Sequence, residues 1–128
     1  MATGPDIPRR ADWLALTEGP EVDRLGAPPP GDRMRTTAEP ATFRIALLGD
    51  RPRVVVLCMP PAASADVELV AAERRRRTSM RAVFLNRPDQ VAARLEAMRM
   101  GFDAAFPLDV DPSELGGRLA LIADQARP

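Results

Sequence analysis

The chain contains no histidine and no tyrosine, and its one cysteine, Cys58, has no second thiol to pair with. Without histidine the commonest general base and the commonest zinc ligand are gone, which excludes a serine, histidine and aspartate triad and a histidine-liganded zinc enzyme. A single cysteine excludes an internal disulfide. Charge of one sign is lacking too: 18 basic and 18 acidic side chains cancel, so no whole-molecule field favours nucleic acid. Nowhere do the roughly 18 consecutive apolar residues of a membrane helix occur, and the first ten residues hold no apolar stretch of signal-peptide length. A cytoplasmic protein without membrane contact is the expectation.

What is present suffices for one domain. A chain of 128 residues can bury about 65 to 70% of its unfolded surface without disulfide or metal staples. The proline-rich stretch 1–10 reads as a flexible lead and 11–128 as the domain. The central signal is Val54-Val55-Val56-Leu57-Cys58-Met59 closed by Pro60-Pro61, an unbroken apolar run that predicts a strand buried on both faces. Such strands belong to parallel sheets covered by helices on either side.

The flanking text alternates accordingly. Trp13 to Thr17 reads as a first strand, with the start of a short helix over Asp12 to Leu16 as the alternative, and Arg33 to Thr37 as a short strand. Between them, Gly19 to Gly31 carries a glycine and three consecutive prolines, which leave room for two helical turns at most. Pro40 opens a helix over Ala41 to Leu48 with Phe43, Ala46, Leu47 and Leu48 on its apolar side and Gly49 at its end. Ser64 is a candidate N-cap for a helix to Arg77 that turns Val67, Val70 and Ala71 inward. A strand over Arg81 to Asn86 follows. Pro88 and Asp89 then open a helix through Met100, with Ala92, Val91, Leu95 and Met98 as its inward side and Gly101 as C-cap. Phe102 to Leu108 supplies the last strand. Asp111, Pro112 and Glu114 form the N-terminal signature of a final helix whose Leu115, Leu119 and Ile122 face the core.

This text resembles the receiver domain of bacterial two-component response regulators, from about residue 33 to 127. The match is strongest over Arg51 to Leu69 and Arg81 to Ala126, where the run Phe102-Asp103-Ala104-Ala105-Phe106-Pro107-Leu108-Asp109-Val110-Asp111-Pro112-Ser113-Glu114-Leu115 resembles the family's fifth strand and following loop in rhythm. The resemblance implies an α/β, flavodoxin-like three-layer sandwich with a five-stranded parallel sheet, here with a shortened or irregular first helix. It also places the family's functional positions. The phosphate-accepting aspartate falls on Cys58, the hydroxyl residue closing the fourth strand on Asn86, the lysine after the fifth strand on Leu108 and the aromatic switch residue on Ala105. The acidic pair that would bind magnesium falls on Thr17 and Glu18, leaving one carboxylate. Mg²⁺ demands near-octahedral oxygen ligation, which one carboxylate beside a thiol serves poorly.

The resemblance therefore implies a pseudo-receiver: a non-phosphorylatable signalling module, not an enzyme and without a cofactor, acting through homodimerisation or docking to a signalling partner. Its partner surface is expected at Arg94, Met98, Arg99, Phe102 and Arg118, and a C-terminal output domain in a longer chain is compatible with it. The alternative is a ligand-sensing domain that binds a nucleotide or small anion in or near the emptied pocket. Cys58 reads as a small hydrophobe at the end of an apolar strand in preference to a redox or nucleophilic thiol, since no histidine is present to activate it. Arg74 to Arg77 point in four directions on a helix and cannot make one phosphate patch; a solvated helix end accounts for them. Incubation with a low-molecular-weight phosphodonor and Mg²⁺ is expected to leave the mass of the protein unchanged; a labile phosphoryl adduct would overturn the assignment of Cys58.

Overall fold

The computed structural model describes residues 12–18, 25–26, 28 and 31–126. In chain order these residues form β1 (Asp12–Leu16), β2 (Arg33–Thr37), α1 (Pro40–Asp50), β3 (Val54–Met59), α2 (Ser64–Arg76), β4 (Arg81–Asn86), α3 (Val91–Met100), β5 (Ala104–Pro107) and α4 (Pro112–Ala126). The sheet order is β2-β1-β3-β4-β5 and every pairing is parallel. This is the flavodoxin-like three-layer sandwich. The lead 1–10 lies outside the described residues, as does most of 19–31; within that stretch Leu25 is helical and buried.

Strand alternation divides the core in two. Leu14, Leu16, Val55, Leu57, Ala82 and Phe84 face one layer, where they meet Phe43 and Leu47 of α1, Val67, Val70 and Ala71 of α2, and Ala97 of α3. Trp13, Ala15, Val54, Val56, Val83 and Leu85 face the other, where Leu115, Leu119 and Ile122 of α4 and the isolated Leu25 cover them. Val54 to Cys58 are at most 1% exposed, as a strand with apolar residues on both faces requires.

Several helix boundaries differ from the sequence expectation. α1 runs past Gly49 to Asp50, and its C-cap is Arg51, held at φ 52°. Ser64 is the first residue of α2 and not its cap. Ala63 occupies the cap, and the buried Asp66 carboxylate accepts the Ala63 N–H at 2.9 Å while binding Arg44 Nε of α1 at 3.0 Å. Pro88 and Asp89 form a turn, so α3 begins only at Val91. Gly101 is the C-cap of α3 at φ 114°, a conformation that only glycine adopts cheaply.

The larger departure concerns the face of α3. Val91, Leu95 and Met98, placed inward by their spacing, are 51%, 59% and 44% exposed, and Ala92 is exposed too. Ala97 is buried and Ala93 and Met100 are half-buried instead. Both sets recur at i, i+4 and i+7, and their offset of two residues turns the helix by about 200°. Phe84 and Phe102, edge to face with centroids 5.9 Å apart, belong to the core that α3 covers. With aromatic volume already beneath it, the helix approaches the sheet through alanines.

The four arginines at the end of α2 do point in four directions, and each is tied to the protein. Arg74 donates two bonds, 2.9 and 3.0 Å, to the Asp103 carboxylate; Arg75 reaches Met100 O, Arg76 pairs with Glu73 and Arg77 reaches Pro52 O. Asp103 also accepts the Ala82 N–H at 2.8 Å, so one mostly buried carboxylate joins α2, β4 and the turn before β5. The same hydrogen bond to Asp103 raises the pKa of Arg74. Replacing Asp103 by alanine unpairs the half-buried Arg74 guanidinium and the Ala82 N–H and is expected to cost about 2 kcal/mol in urea unfolding. Arg118→Ala, which breaks only a 3.9 Å pair on an exposed helix face, is expected to cost less than about 0.5 kcal/mol. Equal losses would show that Asp103 is not a tie point.

Candidate functional site

In a doubly wound sheet ligands bind outside the carboxyl ends of the strands, where the strand order reverses. Here the reversal lies at β1, whose neighbours β2 and β3 are reached in opposite directions. Of the six positions singled out in the sequence, Ala105 lies within β5 and four stand at this edge: Thr17 after β1, Cys58 near the end of β3, Asn86 at the end of β4 and Leu108 after β5. Glu18 is next to Thr17 and exposed.

What these side chains do there is structural. Thr17 is 1% exposed; its N–H donates to Thr37 O at 2.9 Å and its hydroxyl to Glu18 O at 3.3 Å. Cys58 is 1% exposed and sits in the apolar cluster under α4, beside Leu85 across the β3–β4 ladder. Leu108 is packed against the same cluster, and its N–H donates to Asn86 O at 2.7 Å. Among the described residues no group of three His, Cys, Asp or Glu side chains could hold a metal ion. Asp111 caps α4 as its position in the sequence predicts: it accepts the Ser113 hydroxyl and the Glu114 N–H, and these bonds lower its pKa in that order of effect.

Asn86 is the most constrained of the set. It is fully buried, its amide Nδ2 donates to Gln90 O at 2.9 Å, and its Oδ1 accepts Arg94 Nη1 at 2.7 Å. Arg94 also donates to Arg87 O at 2.9 Å and Pro88 O at 3.0 Å. One planar guanidinium thus closes the β4–α3 loop over the asparagine, a task suited to its fixed fork of donors. Asparagine carries its donor and its acceptor on separate atoms, so Nδ2 reaches Gln90 O while Oδ1 takes Arg94, whereas a serine or threonine hydroxyl would have to do both from one oxygen.

The residues expected at a partner surface are not brought together. Phe102 is 3% exposed and packs on Phe84, so it is a core residue and cannot meet a partner. Arg94 has its guanidinium engaged in the loop. Met98 and Arg99 are exposed, Arg99 lying 3.7 Å from Glu96. Arg118 is exposed on α4, in the other helix layer. Sequence periodicity missed Val91 and Leu95 as surface residues; with Met98 they form an outward apolar stripe along α3. Arg94→Ala is expected to speed amide exchange of residues 87–91 about tenfold, corresponding to ~1.4 kcal/mol of local opening, with β1 amides unchanged. Unchanged exchange in the loop would remove the clamp.

No family model matches the sequence, and no curated protein matches it. Solved structures do. NtrX from Brucella abortus superposes over 92% of this chain with a TM-score of 0.75 at 16% identity. The chain spans little more than a quarter of that protein, 28% of its length. The receiver domain of Francisella response regulator 1452 superposes over 91% of this chain and 99% of its own with a TM-score of 0.70 at 13% identity. A two-component response regulator of the LuxR family from Aurantimonas superposes over 91% and 86%, with a TM-score of 0.70 at 18% identity. At such identities the likeness establishes the fold that these receiver structures share.

Proposed function

We propose that the chain is a receiver-like signalling module that works without phosphoryl transfer and acts through protein contacts made on the outward side of α3. The observation that carries this is the orientation of α3, which turns Val91, Leu95 and Met98 to solvent and alanines to the core. Three large apolar side chains in line on one exposed helix face lose hydration only when a partner covers them, and contiguous exposed patches of this kind mark interaction surfaces. Arg99 borders the stripe and supplies a charged group at its rim. The partner is a second copy or another signalling protein.

The edge of the sheet supports the absence of phosphoryl transfer. Phosphoryl chemistry at a carboxylate is carried by positioning and by cations that neutralise the transferred group. Cys58 offers a buried thiol in place of a carboxylate, Glu18 is an exposed acid after β1, and the sequence has no lysine that could stand in for Leu108. Asn86, held on both sides of its amide, has no freedom to turn toward a ligand. The apolar scaffold meanwhile keeps the three layers intact, which is what a docking module needs.

The test compares wild-type protein with a folded Leu95→Glu/Met98→Glu variant by light scattering at rising concentration and by affinity capture from native lysate. Either self-association or one stoichiometric partner is expected for the wild type, and its loss in the variant. A wild type that stays monomeric and unpartnered, or a partner retained equally by the variant, would overturn the proposal.

A further inference from the structure

A second apolar feature lies on the opposite flank of α3 and does not depend on its outward stripe. Between α2 and α3 runs a groove of about 400 Å³, within the size range of sites that receive a compact ligand or a few side chains. Its floor is Met59, at the end of β3, and Phe84 of β4. Val67 forms one wall; Ala93 and Met100 form the other. The groove exists because the α3 wall is built of small side chains: a leucine at the position of Ala93 would fill it.

The rim carries charge of one sign. Glu68 stands on the α2 wall and Glu96 on the α3 wall, one on each side of the apolar floor. Glu68 is exposed and has no ion-pair partner among the described residues. Glu96 has only Arg99, 3.7 Å away on a 61% exposed side chain. None of the five arginines in and just beyond these two helices that make hydrogen bonds lines the groove: Arg74 to Arg77 are tied to Asp103, Met100 O, Glu73 and Pro52 O, and Arg94 to the β4–α3 loop. An arginine-rich chain thus leaves two carboxylates flanking an apolar trough. Two methionines in that trough, Met59 and Met100, are unbranched and adapt their shape to what enters.

We infer that this groove receives a segment of a partner protein that places apolar side chains between lysines or arginines, the apolar groups on Met59 and Met100 and the cations on Glu68 and Glu96. Rim charges of this kind set the sign of the partner and its encounter rate, while the buried apolar contact supplies most of the binding.

The methionines make the test direct, because those of the groove, the outward stripe and the closed core give separate methyl resonances. Protein labelled at the methionine methyl groups is titrated with an amphipathic leucine and lysine peptide of about fifteen residues, long enough to form helix against a surface. Met59 and Met100 are expected to shift with saturation while Met98 stays in place. Glu68→Lys/Glu96→Lys is expected to weaken binding about tenfold, and a leucine and glutamate peptide to produce no shift. Ala93→Leu is expected to abolish the Met59 shift, with an unchanged signal from the fully buried Met80 certifying the fold. Three results overturn the inference: a shift of Met98 in place of Met59 and Met100, equal binding of the acidic peptide, or Met59 and Met100 shifts on diluting the protein alone, which would assign the groove to a second copy. The first of these leaves the outward stripe as the docking surface, and the loss of that stripe in the preceding test leaves the groove untouched.

Discussion

Everything in this fold follows from a central strand with no side to spare for water. Val54 to Cys58 are apolar at every position, so alternation sends side chains of equal hydrophobicity to both faces of the sheet. Neither face can be left open. One layer is supplied by α1, α2 and α3 and the other by α4 with Leu25, and parallel crossovers are the connections that deliver helices to both sides. The same crossovers bring the carboxyl ends of the strands to one edge. Whatever residues stand there, the edge exists because β3 must be buried.

The chemistry at that edge is separable from the scaffold. Thr17, Cys58, Asn86 and Leu108 occupy strand ends and are used for packing and for closing loops. The polar capacity of the protein is spent in the same internal fashion. Arg94 closes the β4–α3 loop, Arg74 anchors α2 to Asp103, and Arg44 joins α1 to the Asp66 carboxylate that begins α2. Arginine suits these tasks because its charge persists on burial and its donors lie in a fixed plane. Among the described residues, large apolar side chains are exposed on α3 (Val91, Leu95 and Met98), on α1 (Ile45 and Leu48) and on α4 (Leu121).

Much of the fold was legible because several local signals agreed. The β3 run, the β4 span Arg81–Asn86, the Gly101 cap and the Asp111, Pro112 and Glu114 signature of α4 each combine hydrophobic pattern with a specific stop or start residue. Boundaries slipped where only one signal was present. Gly49 resembles a C-cap, yet the helix gains another residue before Arg51 takes the left-handed conformation. Ser64 resembles an N-cap, yet Asp66 reaches back to the Ala63 N–H and moves the start by one residue. The candidate edge positions were legible through the family resemblance, while the Asn86 and Arg94 pair was not, since it joins residues of two elements through side chains.

The sequence by itself determined that two faces of a parallel sheet would be covered and which strand would lie at the centre, because alternation and unbroken apolarity are properties of consecutive residues. It also determined, by having no histidine, no lysine and one cysteine, which chemistries the chain could not perform. Only the tertiary structure decided which side of α3 faces the core. Val91, Leu95 and Met98 and the set Ala93, Ala97 and Met100 satisfy the same helical period, and period cannot choose between two stripes on one helix. The choice was made by volume. Phe84 and Phe102 fill the core beneath the helix, close packing admits alanine there, and the larger side chains are left facing outward.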